Sequence, residues 1–287
     1  MTNLCAGWLL ASFDFDQAEG LRRMLAGPKP RIVTFLSAIP TEEKNATLVN
    51  LSASLARAGS EVLLLDACPG GRGVAARLDV PNAATLLEVA RQERGQAQVV
   101  QATQEGFGLA MLARGPVRAL PKDAAQLRRL SNSFGALSRQ TDIMLIDAEL
   151  CEDDGFPLPA MGGGDIVVQV RNSAASIKEA YALVKRLNAQ LGRRPFGVLV
   201  TGAGESEAKR VFDNMAQAAS RYLAVQLHSL GSVPADEHVK RAARLGRTVV
   251  DAFPLAGASV AFRQLAGRVA AANDPGRRMQ GATAGGA

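Results

Sequence analysis

Aromatics, cysteine, histidine and long apolar runs are all in short supply in this chain. Aromatics make up 5% of its 287 residues, so the apolar content is carried by Ala, Leu and Val. That suits helices packed on a parallel sheet better than a β-sandwich. Cys5, Cys68 and Cys151 lie far apart with no CxxC spacing; such a set argues against a disulfide framework and fits a reducing cytosol. His228 and His238 are the only histidines, neither with a second ligand at metal spacing, which removes a zinc site and a Cys–His nucleophile from consideration. No apolar run approaches the length of a membrane span. Residues 4–13 are apolar, but no basic residue precedes them and Asp14 and Asp16 follow. Without the positive flank of a signal peptide, they read as a leader or an early start codon. The formal charge of +6 is dispersed along the chain, with no basic run interleaved with aromatics, so nucleic acid is not an expected partner. A solvated, slightly basic surface is the plain reading; weak attraction to acidic lipid or an acidic partner is the other.

What is present is an alternation. Residues 32–36 (IVTFL), 62–65 (VLLL), 143–146 (IMLI), 166–170 (IVVQV) and 196–200 (FGVLV) are short and continuously apolar, the pattern of parallel strands covered on both faces. Between them, Leu48, Leu51 and Leu55 recur at helical spacing, as do Ile177, Ala180, Tyr181, Val184 and Leu187. Gly59 stops the first of these helices. Strand and helix in alternation predict an α/β fold with a doubly wound, mostly parallel sheet. Gly27 to Pro30 separate an N-terminal arm, residues 1–30, from the α/β body, residues 31–272. Residues 273–287 are rich in Gly, Ala and Arg and predict a disordered tail.

The arm carries a helix signal in DQAEGLRRML, residues 16–25. Asp16 is placed as an N-cap with Glu19 three residues on, and Ala18, Leu21 and Leu25 share a face. About ten residues holding Gly20 make a marginal helix alone, so it needs something to pack on, its own sheet or a partner. After the first strand, a phosphate-binding loop would read G-x-x-x-x-G-K-[ST]. Residues 38–45 are instead Ala, Ile, Pro, Thr, Glu, Glu, Lys44 and Asn. Pro40 deletes a cradle N–H, the glycines that allow close phosphate approach are missing, and Glu42 and Glu43 bring negative charge.

These segments together resemble the FlhG family of MinD/ParA-like P-loop proteins. DQAEGLR is similar to the DQAxxLR motif that opens FlhG proteins, VLLLD at 62–66 to their second strand, and DIMLID at 142–147 to their Walker B strand. SIKEAYALVK at 176–185 and LGSVPAD at 230–236 extend the likeness, which covers residues 16 to about 272 in consistent order. The resemblance implies a regulator of flagellar number. Its Asp16, Gln17, Ala18, Leu21, Arg22 and Leu25 would engage the GTPase FlhF, and its body would contact basal-body or regulator proteins in the cytoplasm. It also places a residual nucleotide site at Lys44, Asp66 and Asp147, with Cys68 where the family has a second aspartate and Thr201 near a base-contacting position. Five changes (Pro40, Glu42, Glu43, Asn45 and Cys68) point to loss of ATP hydrolysis, with Lys44 paired to Glu42, Asp66 or Asp147 in place of phosphate and ATP–Mg at most weakly held. The competing reading is a membrane-cycling ATPase that still binds ATP. A partition or export ParA-like factor is a third, disfavoured by the arm. Val260, Phe262, Leu265, Ala266 and Val269 form a helical stripe that is either the last core helix, the preferred reading, or a contact with the inner face of the membrane.

Overall fold

The computed structural model describes residues 30–271, apart from 69–71, 79–83, 116–119 and 121–122. The arm and tail expectations, with Asp16, Gln17, Ala18, Leu21, Arg22 and Leu25, lie outside the described residues. The body is an eight-stranded sheet flanked by helices. Its strands are β1 (Arg31–Ser37), β2 (Val62–Ala67), β3 (Gln101–Ala102), β4 (Gly108–Met111), β5 (Ile143–Ala148), β6 (Asp165–Arg171), β7 (Phe196–Thr201) and β8 (Leu227–Val233). Their order is β3-β4-β2-β5-β1-β6-β7-β8, parallel throughout except for the β3–β4 pair.

Each central strand sends alternate side chains to opposite faces. Val33 and Phe35 of β1, Val62 and Leu64 of β2, and Ile143 and Leu145 of β5 join one apolar layer. Leu36, Leu63, Leu65, Met144 and Ile146 join the other. The first layer is closed by α1 (Thr41–Arg57) through Leu48, Leu51 and Leu55, and by the last described helix, Gly257–Ala271, through Phe262 and Leu265. The opposite layer is closed by helices Ala124–Ser138, Ala174–Leu191 and Glu205–Leu223 through Phe134, Val184, Leu187, Val211 and Met215. In chain order the helices are α1, α2 (Ala75–Leu78), α3 (Leu86–Ala90), α4 (Ala124–Ser138), α5 (Ala174–Leu191), α6 (Glu205–Leu223), α7 (Glu237–Arg244), α8 (Val249–Ala252) and α9 (Gly257–Ala271).

Two local details follow from the residues. Gly59, at φ +92°, ends α1 as its spacing predicts. In α9, Phe262, Leu265, Ala266 and Val269 are buried while Val260 is exposed, so the stripe packs on the sheet and Val260 departs from it. Among the described residues no helix is long and apolar enough to cross a membrane. The sheet reverses its winding at β1, which lies between β5 and β6. Ligand crevices of open α/β sheets form outside the strand carboxyl ends at such a point, and there the candidate residues gather.

Candidate functional site

Only Ala38, Ile39 and Pro40 connect β1 to α1. The Ala38 N–H donates to the Gln169 carbonyl (3.0 Å), its own carbonyl accepts from the Ser176 hydroxyl (2.7 Å), and Pro40 has no N–H. Thr41, Glu42 and Glu43, which would have to open as a loop to wrap a phosphate, are already the first turn of α1. Pro40 is its N-cap with φ −56°, ψ 143° and no side-chain cap. Glu42 and Glu43 in this turn compensate the positive end of the helix. Glu43 accepts from the Thr201 hydroxyl (2.8 Å) and pairs with Arg171 (3.4 Å), which ties α1 to the ends of β6 and β7.

Lys44 is 3% exposed and Asp147 not at all. The Lys44 Nζ lies 2.9 Å from Asp147 Oδ1 and donates to Cys68 Sγ at 3.2 Å. The Cys68 thiol in turn donates to the Asp147 carbonyl (3.6 Å). Burial works against the Lys44 charge, but Asp147 and Cys68 outweigh it and leave the pKa above the ordinary lysine value. Burial, reinforced by Asp147, pushes the Cys68 thiol far up, so it is a neutral hydrogen-bonding group and a poor nucleophile. Burial also raises Asp147, against the opposing pull of Lys44.

Asp66 completes the cluster from the end of β2. Its Oδ1 accepts from the Cys68 N–H (3.0 Å) and its Oδ2 from the Ala75 N–H (2.9 Å). Burial and then the Asp147 charge push it up to about 6, against those two N–H groups and Lys44. Asp147 Oδ2 accepts from the Val74 N–H (3.2 Å), and Asn45 Nδ2 donates to the Gly73 carbonyl (3.0 Å). A methyl group at Gly73 would overlap the Asp66 carboxylate. Residues 73–75 are thus fastened over the cluster by both aspartates and by Asn45, and Arg72 reaches Glu149 (2.8 Å).

The structure brings Lys44, Asp66 and Asp147 together and, of the three partners weighed for Lys44, pairs it with Asp147. Glu42 is exposed and is not that partner. Three roles were missed: Asn45 as a clamp on Gly73, Glu43 as a bridge to Thr201 and Arg171, and residues 73–75 as a lid on the carboxylates. The only available signal was the substitution of Asn and Glu in a loop that otherwise calls for Ser/Thr and Gly. Asp66, Cys68 and Asp147 place three ligand atoms within 4.8 Å of one another, but the Lys44 ammonium already supplies the cation. A triphosphate needs several converging N–H groups and a free lysine. In this turn one donor is engaged, one is removed by proline, and the lysine is held by a carboxylate, an arrangement that opposes ATP–Mg.

No protein-family model matches the chain. Over 227 residues, 79% of this chain and 81% of the relative, it is 30% identical to the antiactivator FleN of Pseudomonas aeruginosa. Among solved structures, the septum site-determining protein MinD of Pyrococcus horikoshii, complexed with Mg-ADP, superposes with a TM-score of 0.62 at 19% identity, covering 86% of this chain and 99% of that one. A ParA family ATPase of Chlorobium tepidum gives 0.58 at 15% identity, covering 84% and 98%. The two structures establish the fold, and the sequence relation spanning most of FleN narrows it further: the chain belongs to the FleN (FlhG-type) family of MinD/ParA-like proteins.

Proposed function

We propose that this protein regulates flagellar biosynthesis through protein–protein contacts and without ATP turnover, engaging a FlhF-like GTPase through residues 16–25. The observation that carries the first part is the position of Lys44, whose ammonium spans Asp147 at 2.9 Å and Cys68 at 3.2 Å. A phosphate would have to take the lysine from a fully buried carboxylate, and such a pair is broken only at a cost of roughly 3–5 kcal/mol. Support for the regulatory role comes from the relation to an antiactivator, and for the partner from Asp16, Gln17, Ala18, Leu21, Arg22 and Leu25 in the DQAEGLRRML segment. Flagellar basal-body or regulator proteins are the further partners this reading expects of the body.

The partner role is tested by GTP turnover of an FlhF-type GTPase with the full chain. Wild type should accelerate hydrolysis, and Gln17→Ala or Leu21→Asp should cancel the effect while leaving the body folded. Equal rates with and without wild-type protein would remove the partner assignment. A second reading, an ATP-driven dimer that cycles on the membrane, draws on the survival of Lys44, Asp66 and Asp147 in one cluster. It requires the mass measured by light scattering to double on adding Mg-ATP; a regulator without nucleotide should show no change.

A further inference from the structure

Exposed apolar side chains and basic residues meet at one end of α9. Leu255 is 91% exposed and Val260 40%. Arg241 lies 5.2 Å over the Phe253 ring, and Arg263 donates to the Pro254 carbonyl (2.7 Å) beside Leu255. The outer stripe of α9 continues as Val260, Arg263, Gln264, Gly267 and Arg268, all exposed and without an acidic residue. Asp236, at the near end, is already committed to the N–H groups of Ala258 and His238. The chain begins its described course at the far end of the same helix, where Arg31 donates to the carbonyls of Arg268 and Val269.

In the chain preceding Pro30, the complementary character is confined to residues 8–21, with Arg22, Arg23 and Lys29 following them. Residues 8–21 contain Trp8, Leu9, Leu10, Phe13, Phe15 and Leu21, with Asp14, Asp16 and Glu19 and no basic residue. Fifteen residues of helix make α9 about 22 Å long. Nine residues from Pro30 back to Leu21 span up to about 30 Å, enough to reach Leu255 along that stripe. A tethered segment of this length experiences a local concentration on the order of millimolar, an advantage that no separate acidic partner or lipid surface has.

We propose that residues 13–21 dock on the outer face of α9, with Phe13, Phe15 and Leu21 against Val260 and Leu255 and the acidic residues facing Arg263 and Arg241. Docking and engagement of a partner use the same Asp16 and Leu21, so the two exclude each other. That exclusion rests on the proposed partner role; the docking does not.

Trp8 is the only tryptophan of the chain, so its emission in the full-length protein reports on the arm alone. Emission should be blue-shifted relative to a peptide of residues 1–29. It should move to the peptide's position in a Leu255→Asp, Arg263→Glu variant, and part of the way there at about 1 M salt, where screening acts over about 3 Å. Asp14→Lys, which leaves the body untouched, should also red-shift the emission, and adding Arg263→Glu to it should restore the blue shift. Circular dichroism controls for folding. If the docking variant shifts Trp8 but does not change GTPase stimulation, the docking stands and the exclusion falls; no stimulation by any form removes the partner role and leaves the docking. Wild-type emission equal to the peptide's overturns the docking and leaves the face to another occupant such as acidic lipid. A blue shift that survives both variants places the arm elsewhere, and one that disappears on dilution makes a second copy's arm the occupant; either overturns it.

Discussion

Removing the Lys44 ammonium would leave the Asp147 carboxylate, 0% exposed, without a counter-charge. Lys44→Met should therefore lower the unfolding free energy by about 3 kcal/mol, read from denaturant midpoints; a loss below about 1 kcal/mol would mean the pair is not an ion pair. Asp66 sets a pH dependence of definite sign. Its folded pKa of about 6 stands above the ordinary carboxylate value of 3.8, so the folded state holds the proton more tightly than the unfolded chain. Its contribution to stability is complete below about pH 4 and is lost as pH rises through 6, a change of about 3 kcal/mol. Asp147, also raised, acts in the same direction. Unfolding midpoints should fall between about pH 4 and 6, and Asp66→Asn should flatten that slope; an unchanged slope in the variant would assign it to other groups. Lys44, Asp66 and Asp147 were legible only through the resemblance of residues 38–45, 62–66 and 142–147 to the family's segments. The turns taken by Glu43 towards Thr201 and by Asn45 towards Gly73 were not, because they depend on side-chain direction and on a lid with no sequence mark of its own.

The element that decides the site is α1. A loop of glycines would have delayed its start, whereas Thr41, Glu42 and Glu43 are compatible with helix and begin it three residues before Lys44. In α9, burial separates core from surface within one stripe. Leu265→Ala, at 1% exposure, should cost about 2–5 kcal/mol, while Val260→Ala should stay within about 0.5 kcal/mol. Thermal unfolding of the two variants checks this, and equal shifts would contradict the packing. The five central strands were legible as uninterrupted apolar runs. β4 was not, since Gly108 and Met111 bound two buried residues, and β3 has only two residues. β8 pairs only with β7, across an irregularity in register, and has Gly231 at φ +131°; its half-exposed residues carry no continuous signal, and only the resemblance at 230–236 pointed to it. Residues 16–25, the most specific motif of the sequence, lie outside the described residues.

At the scale of the whole molecule, a sheet shared with MinD and ParA proteins carries a cluster in which Lys44 pairs with Asp147 and Cys68 while Asp66 is held by backbone N–H groups. Residues 73–75 are pinned to that cluster by Asp66, Asp147 and Asn45. The family was legible because several weak matches kept their order along nearly the whole chain; the state of the site was not, because composition does not say which buried charges pair. The most direct test is isothermal titration of the full-length protein with Mg-ATP. A lysine held by Asp147 predicts no saturable heat up to millimolar nucleotide, for wild type and Lys44→Ala alike. A one-site isotherm in the micromolar range that Lys44→Ala abolishes would contradict it.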